Sequence, residues 1–266
     1  METVALSATH HTADAGRAWR WVAAAAVLGN IALNYYANAR PFNGQSMGTV
    51  SAQYPTLLTP AGYAFSIWGL IFLSLAAYAV WQLLPAQRTN PVPDAIAQPL
   101  TLASVATAAW VVLFAYELIL LSVATMLVIL GALVVVYGRT RRRVLDHKAS
   151  RWVSGPFALY LGWISVATAV NVTIGLQQLG WRTAENVSVL LTLAVLAVVV
   201  TLGLLLSRQF LDAVPALVVA WALVALWVAR RGEYPELAWA ALAGAVVAGV
   251  GGVVLASRRW RRAAGV

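Results

Sequence analysis

Apolar residues run along this chain in stretches of about 20, with polar and basic residues gathered between them. A helix needs roughly 20 apolar residues to cross the hydrocarbon core of a bilayer. That ruler predicts spans at 20–38, 60–84, 99–117, 119–138, 154–176, 187–207, 211–229 and 236–256. The run from Leu100 to Tyr137 is too long for one helix, so a tight turn is placed near Glu117; seven spans is the rival count. The predicted fold class is all-α, a polytopic membrane helix bundle of about eight transmembrane helices. Outside it fall a polar N-terminal tail (1–19), whose first 16 residues are expected to be disordered, and a basic C-terminal tail (258–266). The Pro-rich stretch 85–99 reads as a short connector.

Composition supports this class. Of 266 residues, 61% are hydrophobic and 10% charged, where a soluble domain carries about a quarter charged. Such a surface suits lipid, because each helix satisfies its own backbone amides.

The net charge of +9 raises the question of nucleic acid, but the basic residues sit at the ends of apolar runs, not on one face. That arrangement encodes topology. With the N-terminus inside, one side holds Arg17, Arg20, Arg88, Arg139, Arg141, Arg142, Arg143, Lys148, Arg151, Arg208, Arg258, Arg259, Arg261 and Arg262. The other holds only Arg40, Arg182, Arg230 and Arg231. The expectation is a multi-pass cell-membrane protein with both termini cytoplasmic, membrane lipid as its surroundings and no nucleic-acid partner. Ala37-Asn38-Ala39 offers a signal-peptidase pattern after the first span. Asn30 and Asn34 interrupt the apolar region and Tyr35 and Tyr36 crowd the site, which favours an uncleaved span.

Several chemistries drop out. There is no cysteine, so disulfides, thiolate metal sites and c-type haem attachment are excluded. His10, His11 and His147 lie outside the apolar runs, which excludes a b-haem held between membrane histidines. The only lysine, Lys148, lies in a basic loop, so no retinal Schiff base forms within the bilayer. No cofactor is expected. No span carries a metal-ligand cluster, a Ser–His pair or paired carboxylates, so an enzyme is not expected either.

What remains is aromatic. Trp19, Trp21, Trp81, Trp152 and Trp239 fall at span ends, where an indole anchors at headgroup level. Trp68, Trp110 and Trp163 sit deeper and have neighbours at helical spacing. Phe65, Trp68 and Phe72 share one face of the second span. Thr107, Trp110 and Phe114 share a face of the third, with Glu117 a turn further. Tyr160, Trp163, Ala167 and Asn171 form a stripe on the fifth. Polar atoms inside a bilayer need partners, so these faces should point inward. Two readings stand: aromatic packing between helices, or three walls of one aromatic pocket. Asn30, Asn34 and Asn38, four apart on the first span, read as a clasp on a neighbouring helix or as a polar wall. Glu117 reads as a solvated turn residue or, with the turn elsewhere, as a buried carboxyl. In the last span Ala245/Gly249 and Ala248/Gly252 permit close helix contact, within the chain or in a homodimer.

These motifs resemble the tryptophan-rich sensory protein family, also called the TspO or peripheral benzodiazepine receptor family. Its second helix opens with a pattern like P-P-x-W-x-F-x-x-V-W, and here the stretch runs Pro60-Ala61-Gly62-Tyr63-Ala64-Phe65-Ser66-Ile67-Trp68. Its fifth helix carries Y-x-x-W-x-S-x-A-x-A-L-N, answered by Tyr160, Trp163, Ser165, Ala167, Ala169 and Asn171. Trp110 and Phe114 answer to the third helix. Departures are Tyr63 for Trp, Ala61 for Pro, Thr107 for Asn, Phe72 for Tyr and Val112 for Pro.

The resemblance covers residues 20–178, which it implies are a five-helix bundle, with 179–257 as three additional helices. It implies a pocket capped by the loop 41–59, closed by Tyr54 and Pro55. Site residues expected on that basis are Tyr63, Phe65, Trp68, Phe72, Thr107, Trp110, Phe114, Tyr160, Trp163, Ala167, Asn171 and Asn34. The implied function is a membrane receptor or carrier for a hydrophobic planar molecule such as a porphyrin. Stacking walls of Trp, Tyr and Phe suit such a ligand. A secondary transporter for another small solute is the alternative, although a pair of broken helices or an intramembrane charge pair is not evident.

Overall fold

Proline stands at the first or second position of four of the helices, as Pro91, Pro156, Pro215 and Pro235, where it presets the helical backbone. The structure, a computed structural model, describes residues 2–45, 47–54, 56–181 and 184–263, with side chains from 17 to 257 except Ala52. Eight long helices alternate in direction: α1 (Glu2–Ala39), α3 (Ile67–Trp81), α4 (Pro91–Ala115), α5 (Ile119–Leu145), α6 (Gly155–Gln178), α7 (Glu185–Phe210), α8 (Val214–Arg230) and α9 (Pro235–Ala263). A short helix, α2 (Met47–Gln53), lies in the first loop, and a 3₁₀ turn, Gly62–Ser66, leads into α3. No strand occurs among the described residues. The chain is therefore an all-α polytopic membrane bundle. Six of its helices are long and apolar enough to cross a membrane; α8 is apolar but shorter, and α1 is diluted by its asparagines.

Several boundaries differ from the sequence expectation, each for a physical reason. The run Leu100–Tyr137 does break at Glu117, whose φ of 56° turns the chain between α4 and α5. The supposed connector 85–99 is half helix. Pro91 and Pro93 sit in the first turn of α4, where a missing N–H costs nothing. The Asn90 side chain caps that turn by accepting from Val92 N at 3.0 Å. Pro99 lies inside α4 and cannot donate to the carbonyl of Ala95; Arg139 donates to that oxygen instead at 2.7 Å. The N-terminal residues continue α1 back to Glu2, so the expected disordered tail is helical backbone. In the basic tail, α9 runs to Ala263; the side chains from 258 onward lie outside the described ones.

Two arginines counted as topological charges are buried. Arg20, 5% exposed, forms a two-point bond to Asp94 and donates to the carbonyls of Gln87 and Asn90, fastening α1 to the start of α4. Arg141, 6% exposed, joins α5 to the turn between α7 and α8. These contacts put the start of α1, the α3–α4 connection, the end of α5 and the α7–α8 turn at one end of the bundle. The late part of α9 lies there too, because Gly252 abuts Ala216 and Ser207. The small-residue stripe of α9 is thus packed on α8 within the chain; a Cβ on Gly252 would stand 2.6 Å from that of Ala216.

Lipid-facing positions are apolar and exposed, among them Leu70, Leu73, Val105, Leu190, Val198, Val246 and Val250. Among the described residues the interior holds three clusters: one around α1, α3, α4, α5 and α6 that also takes in Val218, Ala222 and Ala225 of α8, one around α7, α8 and α9, and a small one of Val50, Phe114, Ile119 and Ile174 beneath α2.

Candidate functional site

At the end opposite Arg20, α4 and α6 diverge beneath α2 and leave a cavity. The space free of atoms is about 500 Å³, its mouth included. Its walls are Met47, Ser51, Pro60, Phe65, Trp110, Phe114, Trp163, Val166, Ala167, Val170, Asn171 and Ile174.

Half of the sequence-predicted residues reach this wall: Phe65, Trp110, Phe114, Trp163, Ala167 and Asn171. On α4, Trp110 and Phe114 are one turn apart and stack, with centroids 4.9 Å apart at 16°. On α6, Trp163, Ala167 and Asn171 follow at helical spacing, and Phe65 meets Trp163 edge to face at 5.6 Å. Asn171 fixes one indole by accepting from Trp110 Nε1 at 3.1 Å, while its own amide N–H donates to Ser122 Oγ at 3.1 Å. A buried amide with both ends satisfied holds that ring in place.

The other six do not line the cavity. Phe65 lies on the 3₁₀ turn before α3, not on α3 itself. Three residues per turn instead of 3.6 rotates it away from Trp68 and Phe72. Trp68 instead packs on Phe72 at 5.0 Å and on Tyr160 at 5.7 Å, and Phe72 meets Tyr35 of α1. Tyr160 is fully buried, and its hydroxyl is hydrogen-bonded to Thr107, which closes that cluster. The three deep tryptophans therefore do not converge: Trp110 and Trp163 share a hollow, and Trp68 belongs to the packed core. Tyr63 is captured by α8, where it meets Trp221 edge to face at 5.4 Å, and the Trp221 indole donates to Ala64 O. Asn34 turns back on its own helix, donating to Asn30 O and Oδ1 at 2.9 Å, as Asn38 does to Asn34 O. Among the described residues, the Asn34 and Asn38 amides thus bond within α1, and no member of the asparagine row lines this cavity.

Sequence reasoning missed Met47, Ser51, Pro60, Val166, Val170 and Ile174. Met47 and Ser51 sit on α2, within the loop expected as a cap. Val166, Val170 and Ile174 lie at i+3, i+7 and i+11 from Trp163, an apolar edge whose side chains look no different in sequence from lipid-facing ones.

The cap is latched. Glu117 is neither bare to solvent nor buried alone: it accepts from Tyr54 Oη at 3.0 Å and from Gln45 Nε2 at 3.2 Å. Gln53 Nε2 donates to Gln45 Oε1 at 2.6 Å, which ties both ends of α2 to the α4–α5 turn. Burial, and then the neighbouring Glu117 carboxylate, push the Tyr54 hydroxyl above its ordinary pKa, so at neutral pH it is a proton donor. Pro55, the other expected closing residue, lies outside the described residues. Among those described, no group of His, Asp or Glu side chains is placed to hold a metal ion.

A model of the family described as TSPO-like protein matches residues 20–254. No curated protein and no solved structure matches the chain. The match extends beyond the first five long helices through α7 and α8 and most of α9. The chain belongs to the TSPO-like protein family and is a membrane protein.

Proposed function

We propose that this protein binds a flat, hydrophobic, conjugated molecule, porphyrin-like in its chemistry, in the cavity beneath α2, and acts as a receptor or carrier. The observation that carries this reading is the wall itself. Two indoles and two phenyl rings face one hollow, with Ser51 and Asn171 as its polar side chains. Offset and edge-on aromatic contacts favour planar conjugated ligands, and few polar groups suffice to orient them. The latched cap is the door in this reading: a ligand enters when the Tyr54 and Gln45 bonds to Glu117 part and Val50 lifts from Phe114, Ile119 and Ile174.

Binding or carriage fits this wall better than turnover does, since a serine and an amide already engaged with Ser122 and Trp110 make no acid–base pair. We also assign the Arg-rich end of the bundle to the cytoplasm, since basic residues are retained there during insertion. Both termini would then be cytoplasmic.

The test is a porphyrin titration of the protein in nanodiscs, read by tryptophan quenching. Wild type should quench saturably. Ala167→Phe, which fills the cavity, and Trp163→Ala, which removes a wall, should each weaken binding by roughly tenfold or more, the scale of losing one aromatic contact. Equal saturable quenching in all three proteins would remove the site.

A further inference from the structure

A second hollow lies on the other side of the α6 edge. It is bounded by α6, α7 and α8, has about 320 Å³ free of atoms with its opening included, and has apolar side chains on every wall. Pro60, Val166 and Val170 belong to the walls of both hollows. Small residues keep it open: Ala169 on α6 and Ala222 on α8. Leu58 covers one end, on a turn that Arg230 holds by donating to Thr56 O at 2.7 Å. Packing of α6 against α7 is slight, whereas α8 packs on both α6 and α9. A slot lined with Val, Leu and Ala, bordered by two helices that barely touch, matches an aliphatic chain in polarity.

We propose that the α6–α7–α8 slot holds the aliphatic tail of the ligand whose ring occupies the aromatic cavity. The ligand class is then a planar conjugated head bearing a hydrocarbon tail, not a bare ring. This rests on the reading of the aromatic cavity given above. The shared rim supplies the argument for one occupant: Pro60, Val166 and Val170 border both hollows, so a chain leaving the ring at that edge needs only to pass these side chains to reach the slot. It also gives α7 and α8 a part in recognition, since Val195, Leu196 and Val199 of α7 form the far wall. In a bilayer a tail loses little by remaining in lipid, which is as apolar as the slot. Selectivity therefore comes from dispersion contacts and fit, not from escape from water.

The experiment compares the monomethyl and monodecyl esters of one porphyrin, matched in charge, on protein in nanodiscs, with empty nanodiscs correcting for partition into lipid. Wild type should bind the decyl ester roughly tenfold more tightly, the yield of about ten added dispersion contacts. Ala169→Phe should abolish that preference while leaving the methyl ester unchanged. Ala169→Leu makes a smaller intrusion and should reduce the preference partway. Val199→Ala widens the slot and should shift the optimum to a longer or branched tail. If the methyl ester binds but the decyl ester gains nothing, or keeps its gain in Ala169→Phe and Ala169→Leu, the slot has no ligand tail and the aromatic site stands alone. If neither ester quenches saturably, the aromatic site fails, and the tail assignment with it.

Discussion

Replacing Arg141 with methionine probes the joint between the first five long helices and the last three. Its guanidinium donates to Phe210 O at 2.8 Å, to Leu211 O at 2.6 Å and to Ser154 Oγ at 3.3 Å, and its Nε lies 3.7 Å from Asp212 Oδ2. Asp212 also accepts from Tyr137 Oη and from Val214 N, each at 3.1 Å, and the second bond caps the start of α8. Leu211 between them is held at φ 50°, a conformation an L side chain adopts only under constraint. Methionine fills the space of the stem but leaves Asp212 as an uncompensated, nearly buried charge and strands two carbonyls. Breaking a buried pair from one side costs about 3–5 kcal/mol. At about 2–4 °C per kcal/mol for a chain of this size, melting should fall by roughly 10 °C. The assay is thermal loss of helical circular dichroism in nanodiscs. Adding Asp212→Asn removes the stranded charge; its amide oxygen still accepts from Val214 N and its amide N–H faces Tyr137 Oη, which can accept from it, so the double variant should recover about 1–2 kcal/mol of that loss. If Arg141→Met melts within about 2 °C of wild type, or the double variant is no more stable than the single one, the ion-pair reasoning is wrong.

Tyr54→Phe removes one of the two donors to Glu117 and should speed ligand release severalfold in stopped-flow quenching without lowering the melting temperature. The same latch has a pH signature. Because the Tyr54 pKa is raised above 10.0, its bond is fully present below about pH 10 and is lost as pH rises through the folded-state value, so release should accelerate only in strong alkali. Gly252→Val drives a side chain into Ala216, whose Cβ lies 2.6 Å from the added atom, and should cost about 1–3 kcal/mol in thermal unfolding. The absence of native cysteine allows clean topology mapping. A single cysteine in place of Lys148 should label only from the cytoplasmic side, and one in place of Trp181 only from the other.

The chain's own pattern determined much of the fold. Length and polarity of the apolar runs set eight helices, because an unbroken apolar run of about 20 residues matches a bilayer as a helix, where it bonds its own backbone, and is too long for a membrane strand. The break at Glu117 followed from the same ruler, since one helix cannot be twice the membrane thickness. The pair Trp110 and Phe114 and the set Trp163, Ala167 and Asn171 were legible because each lies on a regular α-helix, where spacing fixes facing. Tertiary structure decided the rest. Phe65 parted from Trp68 because a 3₁₀ turn changed the angle per residue, which periodicity alone does not reveal. Tyr63 went to Trp221, 158 positions away in the chain, and Asn34 and Asn38 bonded back onto α1 where a neighbouring helix or a cavity was expected. Arg20 and Arg141 read as loop charges until packing buried them against carboxylates and carbonyls. Which face of a helix meets a void, and which meets a neighbour, depends on how several helices pack together, and that is a property of the assembled bundle.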